Sequence, residues 1–167
     1  AFEVLYTRHK GPLYRYLLRQ CGAAALAEEL FQDVWMKLIR ARERYEARAK
    51  FTTWLYTLAH NRLIDHYRRA KAGVPISYDD DPDEPLIEQV ADSEAREPDN
   101  ELDRRRLGQR LLEQIAALPE AQREAFLLRE ESGLSLEQIA EVTGVNAETA
   151  KSRLRYALTK LRQGLKD

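Results

Sequence analysis

Helix-breaking residues are concentrated in one segment of this chain, and their distribution constrains its fold more than any other feature. From Ala23 to Ala72 the sequence has neither glycine nor proline and is rich in helix-forming residues. Residues 72–100, in contrast, contain one glycine and four prolines. Because glycine and proline interrupt regular structure, the pattern predicts two helical parts separated by an irregular segment.

Acidic side chains are concentrated in the same irregular segment, residues 72–100. The net charge of the 167 residues is −1, yet residues 72–100 carry ten acidic side chains and one basic one. Such a segment cannot bury enough apolar surface to fold alone. We therefore predict an all-α protein in which two small helical bundles, 1–71 and 101–167, are joined by a flexible acidic linker, 72–100. As a coil this linker spans on the order of 30 Å, and fully extended up to about 95 Å, so the bundles can reach separate points on one target. Its charge could alternatively serve solubility alone.

Apolar side chains recur at helical spacing through both bundles. The residue before Pro119 avoids helical angles, which separates the first two helices of the second bundle. The predicted helices span residues 2–20, 25–46 and 51–70 in the first bundle, and 101–117, 120–131, 135–142 and 147–164 in the second.

The C-terminal segment has the layout of a helix-turn-helix. Ser135 and Gln138 have the spacing of a capping box, in which each side chain bonds to the backbone of the other. The short helix that follows ends at Gly144, and Asn146 can cap the next helix immediately. Helix, tight turn and helix together are typical of proteins that read the DNA major groove.

The last helix carries polar and basic side chains on one face. Hydrogen-bonding groups near its start and cations further along suit base edges and phosphates, respectively. An ordinary solvated helix remains the alternative. The residues of this last helix that are predicted to face inward are Ala150, Leu154, Leu158, Leu161 and Leu165. Those predicted to face outward are Glu148, Lys151, Ser152, Arg155 and Arg162.

Helix 51–70 has a mixed aromatic, amide and basic stripe on one face. Aromatic rings stack on unpaired bases, an amide offers a donor and an acceptor, and guanidinium groups hold phosphates. The stripe therefore fits DNA that is at least partly single-stranded, although a core position for the tryptophan and an ion pair within the helix would also explain it. It consists of Trp54, Thr57, Asn61, Asp65 and Arg68, flanked by Arg62 and Arg69.

Helix 25–46 has an outer line of charged and polar residues. Acids at its start and bases at its end favour the helix dipole, which is a sufficient structural reason for them. The line comprises Glu29, Gln32, Asp33, Lys37 and Arg40.

No catalytic constellation, metal-ligand set or cofactor motif is found in the sequence. The three histidines are too far apart or wrongly spaced to form a zinc pair, and there is no glycine-rich phosphate loop. No apolar run is long enough to cross a membrane, and no secretory leader opens the chain. With a lone cysteine, Cys21, these features predict a reducing, cytoplasmic setting. The chain starts within an apolar helical pattern without an initiator methionine, so a preceding segment is expected.

Two sets of motifs resemble a known family, the bacterial RNA polymerase sigma factors. The order of two modules without a folded middle one is similar to the extracytoplasmic-function (ECF) group. The motifs that resemble sigma region two are residues 30–33 (LFQD), 51–55 (FTTWL) and 61–69 (NRLIDHYRR), and those that resemble region four are residues 118–119 (LP), 123–128 (REAFLL) and 149–154 (TAKSRL).

The resemblance implies a role for each surface. The outer face of helix 25–46 would dock on the β′ clamp helices of core polymerase through Glu29, Gln32, Asp33 and Lys37. The minus-ten promoter element, with a base flipped from its non-template strand, would be held by Trp54, Asn61, Arg62, Asp65, Arg68 and Arg69, helped by a loop near residues 44–50. The duplex minus-thirty-five element would be read by Glu148, Thr149, Lys151, Ser152, Arg153 and Arg155. The acidic linker would thread toward the polymerase active-site cleft.

The sequence therefore predicts a promoter-specificity subunit rather than an enzyme. Its expected partners are core RNA polymerase, through the β′ clamp helices and the β flap, promoter DNA, and an anti-sigma factor, without insertion into a membrane. The alternative is a conventional dimeric helix-turn-helix regulator with a helical sensor domain, which would bind an operator without polymerase.

Overall fold

The structure, a computed structural model, describes residues 2–44, 50–70 and 100–166. Within these ranges every regular element is helical. The predicted linker lies outside the described residues except for Asn100, and so does the loop at 45–49. The helices are α1 (Phe2–Cys21), α2 (Ala24–Arg40), a short 3-10 helix (Arg42–Arg44), α3 (Phe51–Ala70), α4 (Glu101–Ala117), α5 (Glu120–Glu130), α6 (Leu136–Thr143) and α7 (Ala147–Lys166).

Helix boundaries agree with local sequence signals in most places. Asn100 caps α4 by accepting a hydrogen bond from the backbone N–H of Asp103 at 2.8 Å. Leu118 is extended, as expected before Pro119, and ends α4. The exception is α2, which ends at Arg40 and not at residue 46. Its apolar pattern continues past the end of the helix, so periodicity alone overestimated its length.

The first bundle packs α1, α2 and α3 around a single apolar core. Tyr16 and Tyr56 are its largest fully buried side chains, and their rings meet edge to face at 5.4 Å between centroids. On α2 helical periodicity predicts an inward line, of which Leu30, Val34 and Leu38 are confirmed as buried. The same line predicts Ala41, which is half-buried, and Tyr45, which lies outside the described residues. The core consists of Leu13, Tyr16, Leu17, Ala27, Leu30, Val34, Trp35, Leu38, Leu55, Tyr56, Ala59, Leu63 and Tyr67.

The second bundle packs α5, α6 and α7 together, with α4 along α7. Only the C-terminal part of α4 contributes to this packing, because its first nine residues, Glu101–Gln109, are exposed. The core consists of Ile115, Leu118, Ala121, Ala125, Leu127, Leu128, Leu134, Ile139, Ala140, Val142, Ala150, Ala157 and Leu161.

The two bundles contact each other through a polar junction, in which α1 and α3 meet α5 and α6. At its centre the carboxylate of Glu124 is completely buried. The Tyr16 hydroxyl donates to it at 2.7 Å, His60 Nδ1 lies 2.9 Å from it, and Gln20 Nε2 lies 3.4 Å away. Burying an unpaired carboxylate costs several kcal/mol, and these groups offset that cost.

Further contacts surround the Glu124 junction. Arg123 donates to the side-chain oxygen of Gln20 at 2.8 Å and to its backbone oxygen at 3.2 Å. Arg15 forms an ion pair with Glu131 at 2.9 Å. Burial raises the pKa of Tyr56, which lies in the core of the first bundle, to about 12. The buried apolar residues of the two bundles also form one continuous cluster. Separating the bundles therefore exposes some apolar surface, while water replaces the lost hydrogen bonds.

Candidate nucleic-acid interface

The helix-turn-helix is formed by α6 and α7 with the predicted capping. The Ser135 hydroxyl accepts from the Gln138 backbone N–H at 3.2 Å, and the Gln138 side chain accepts from the Ser135 N–H at 2.9 Å. Gly144 ends α6 at φ 73°, a left-handed conformation that only glycine adopts without strain. Asn146 accepts from the Thr149 N–H at 2.8 Å and so begins α7. These bonds fix the angle at which α7 leaves the turn.

The start of α7 presents hydrogen-bonding and basic groups to solvent. Glu148, Lys151 and Arg155 are exposed, while Thr149 and Ser152 are partly buried beside them. Such an arrangement can place short polar side chains against base edges and long cations against phosphates.

The buried face of α7 differs from the predicted one. Ala150 and Leu161 are buried as expected, but Ala157 and Arg153 occupy the positions between them. Leu154, Leu158 and Leu165 are only partly buried. This face is set by the packing of α7 against α4, α5 and α6 together, which a single-helix pattern does not contain. Since Arg153 is only 6% exposed, it would have to leave this position to contact DNA.

On α3 the structure divides the predicted stripe into exposed and buried members. Asn61, Arg68 and Arg69 are exposed. Trp54 is partly buried and packs edge to face on Phe51, with 6.1 Å between ring centroids. A partly accessible indole suits a stacking platform.

The remaining stripe residues are occupied by contacts of their own. Asp65 pairs with Arg69 at 3.3 Å, the intrahelical ion pair that the sequence left open. Thr57 donates its hydroxyl to the backbone oxygen of Thr53 at 2.7 Å. Arg62 is buried and forms an ion pair with Asp33 of α2 at 2.9 Å. The geometry thus leaves Asn61 and Arg68 as the freest polar groups on this face.

The outer face of α2 lies next to this stripe and combines charge with apolar surface. Glu29, Gln32 and Lys37 are exposed, and the side chain of Asp33 is 43% exposed. Sequence reasoning missed two neighbours, Met36 and Ile39, which are 49% and 37% exposed. Their positions outside the inward apolar line were the signal for them. Exposed apolar side chains within a polar rim are typical of protein interfaces.

The junction between the bundles was also missed. Tyr16, Gln20, His60 and Glu124 come from three helices, and no spacing within one helix connects them. Within the described ranges no helix is long and apolar enough to cross a bilayer, and no group of three potential metal ligands is found.

Two family models match separate parts of the chain. The family model for Sigma-70 region 2 matches residues 5–73, and the model for Sigma-70, region 4 matches residues 108–161. The RNA polymerase sigma factor CarQ of Myxococcus xanthus is 31% identical over 163 residues, covering 98% of this chain and 88% of CarQ. The ECF RNA polymerase sigma factor SigK of Mycobacterium sp. (strain KMS) is 32% identical, covering 99% of this chain and 83% of SigK.

Solved structures similar to this chain also include a sigma factor. The chain is similar to the sigma factor RpoE of Bartonella quintana, crystallised in complex with the anti-sigma factor NepR, with a TM-score of 0.74, 27% identity and coverage of 99% of this chain and 96% of that one. CnrH, solved in complex with the cytosolic domain of CnrY, has the same fold, with a TM-score of 0.68, 19% identity and coverage of 99% and 87%.

Proposed function

Since this chain belongs to the ECF group of sigma-70 RNA polymerase sigma factors, we propose that its two bundles divide promoter recognition between them. The chain is a promoter-specificity subunit, and it binds core RNA polymerase and promoter DNA. Sigma factors are non-catalytic initiation factors. We infer that this chain acts by binding alone, in the cytoplasm where core polymerase works.

The second bundle, 101–167, reads the duplex minus-thirty-five element with the start of α7. The exposed groups of Glu148, Lys151 and Arg155 support this assignment, together with Thr149 and Ser152 beside them. The capped turn holds α7 so that its first two turns can enter the major groove. In the free chain the Arg153 side chain lies on the buried face of α7 and helps to pack this helix. It can contact DNA only after leaving that position. We place the contact with the polymerase β flap on this bundle as well.

Replacing Lys151 or Arg155 with alanine is expected to weaken binding of the minus-thirty-five element by about 1–3 kcal/mol each. Both side chains are exposed at the start of α7, so each loses a base or phosphate contact without disturbing the core. Fluorescence anisotropy of a labelled duplex with the holoenzyme measures the change. Lys166→Ala removes an exposed cation from the last turn of the same helix and serves as the control. Unchanged affinity in both variants would refute the assignment of α7.

The first bundle, 1–71, holds the minus-ten element as it opens. The exposed amide of Asn61, the exposed guanidinium groups of Arg68 and Arg69, and the partly accessible ring of Trp54 support this role. Asp65 orients Arg69 through their ion pair. A base that leaves the duplex stacks on an aromatic ring and bonds through its edge to an amide, so the protein binds the open state better than the closed one.

Core polymerase binds the outer face of α2. Glu29, Gln32, Asp33 and Lys37 provide charge, and the exposed side chains of Met36 and Ile39 provide apolar contact area. A docking surface of this kind would fit the β′ clamp helices and lies beside the promoter-binding stripe of α3. Promoter opening can therefore take place directly next to the polymerase.

Simultaneous binding of both elements requires the bundles to separate. The elements lie about 25 base pairs apart, or roughly 85 Å along B-form DNA, whereas the bundles are in direct contact at Glu124. We therefore assign the closed arrangement to the free or inhibited protein. RpoE of Bartonella quintana, to which nearly the whole chain is similar, was solved with an anti-sigma factor. We propose that an anti-sigma factor binds this chain in its closed arrangement.

Transcription in vitro tests the proposed division of labour. Core polymerase with the chain is expected to produce new start sites on a genomic promoter pool. Residues 1–71 and 101–167 added as separate polypeptides are expected to produce far fewer, because the effective concentration provided by the linker is lost. Equal activity of the intact and divided chains would contradict the proposal.

A further inference from the structure

Arg62 lies directly after Asn61 on α3, yet its side chain turns away from solvent. The side chain is only 10% exposed, whereas that of Arg69 on the same helix is 75% exposed. A guanidinium that contacts a phosphate must reach solvent. Arg62 is thus poorly placed for the promoter contact that its sequence position predicts.

The guanidinium of Arg62 instead holds a carboxylate on the neighbouring helix. Nε donates to Oδ2 of Asp33 at 3.0 Å, and Nη2 lies 2.9 Å from the same oxygen. Both contacts converge on one carboxylate oxygen, and the Asp33 side chain remains 43% exposed. The buried cation therefore fixes the direction of a carboxylate whose other oxygen is available to a partner.

The same guanidinium also approaches the promoter-facing stripe. Nη1 of Arg62 lies 3.7 Å from Oδ2 of Asp65, and Arg69 binds that oxygen from the other side at 3.3 Å. Arg62 thus lies between two carboxylates that belong to different helices. One is on the polymerase-facing surface of α2, and the other is on the stripe of α3.

We propose that Arg62 is a positioning residue that fixes the Asp33 carboxylate for docking on core polymerase and does not contact DNA itself. The inference rests on the proposed function, because it takes the outer face of α2 as the polymerase-binding surface. A carboxylate that is held in its binding direction before docking loses less conformational freedom when it binds. Removing Arg62 releases Asp33 into several rotamers and leaves its charge without a partner.

The test is a double-mutant cycle of core-polymerase affinity, measured with the full chain without DNA. Asp33→Asn and Arg62→Met are each expected to weaken binding roughly tenfold, since each removes a charged hydrogen bond. The double variant is expected to bind about as well as either single one, because both changes remove the same oriented carboxylate. Arg62→Lys keeps the charge without the two-point contact and is expected to fall between wild type and Arg62→Met.

Two further measurements separate positioning from other roles. The matched control is Arg8→Met, which removes an exposed arginine of the same bundle and is expected to leave polymerase affinity unchanged. For Arg62→Met in the holoenzyme, the slope of log affinity against log salt for a minus-ten single strand is expected to stay the same. Loss of a phosphate contact would reduce that slope by about 0.7.

The possible failures are distinguishable. If Asp33→Asn weakens polymerase binding but the effects of the two changes multiply, Arg62 does not act through Asp33 and the inference is overturned. If Arg62→Met reduces the slope of log affinity against log salt, the inference is overturned as well, because Arg62 then contacts a DNA phosphate. If Asp33→Asn leaves polymerase affinity unchanged, the assignment of the α2 surface fails and the inference fails with it. Circular dichroism verifies that Arg62→Met and Arg62→Lys keep the helical content and the thermal unfolding transition of the wild-type chain.

Discussion

Glu124→Lys is expected to separate the two bundles of the free chain. The substitution places a cation in a site that is completely buried and already contains His60 and the neighbouring Arg123. Breaking a buried charged network in this way costs about 3–5 kcal/mol. Because the side chains that bind Glu124 come from the first bundle, the penalty is relieved when the bundles part, and each bundle can keep its own core.

Small-angle X-ray scattering measures the expected opening as a larger radius of gyration at unchanged helical content. Core-polymerase affinity is expected to rise in the same variant, since a protein that is partly held in an incompetent state binds with reduced apparent affinity. Glu130→Lys makes the same charge change at an exposed position of α5 and is expected to do neither. A compact Glu124→Lys chain would show that this carboxylate does not hold the bundles together.

Asn61→Ala is expected to impair promoter opening more than any other single change on α3. The amide is exposed at the centre of the stripe and offers both a donor and an acceptor to an extruded base. Losing these hydrogen bonds is expected to destabilise the open complex by about 1–3 kcal/mol. Binding of the minus-thirty-five duplex and of core polymerase is expected to remain unchanged, because neither surface includes Asn61.

Permanganate reactivity of unpaired thymines in the minus-ten region measures this loss. Gln109→Ala, which removes an exposed amide from α4, is the matched control and is expected to open promoters normally. If Asn61→Ala opens promoters as efficiently as the control, the base-capture role of this stripe is wrong.

Most of the local structure was predictable from the sequence. The helix-turn-helix follows from short-range chemistry, because Ser135, Gln138, Gly144 and Asn146 each act on backbone groups within a few residues. The burial of Leu30, Val34 and Leu38 on α2 follows from helical periodicity for the same reason. A signal of this kind needs no knowledge of the rest of the chain.

Tertiary contacts were not predictable in this way. The pair of His60 and Glu124 joins residues far apart in sequence, and neither residue has a local pattern that indicates the other. Arg62 flanks Asn61 in sequence, but the acidic neighbour Asp33 on α2 decides that its side chain turns inward. Arg153 is buried because α7 packs against several helices at once. These four buried residues show which charged side chains are held inside the fold, and only the packed structure reveals them.

The distance between the two bundles tests the account most directly. Fluorophores can be attached at Thr7→Cys on α1 and Glu130→Cys on α5, both exposed positions, after Cys21→Ser removes the native thiol. We predict efficient energy transfer in the free chain and a separation larger by several tens of ångströms in an actively initiating complex of polymerase and promoter. An active complex in which the labels keep the distance they have in the free chain would contradict the account.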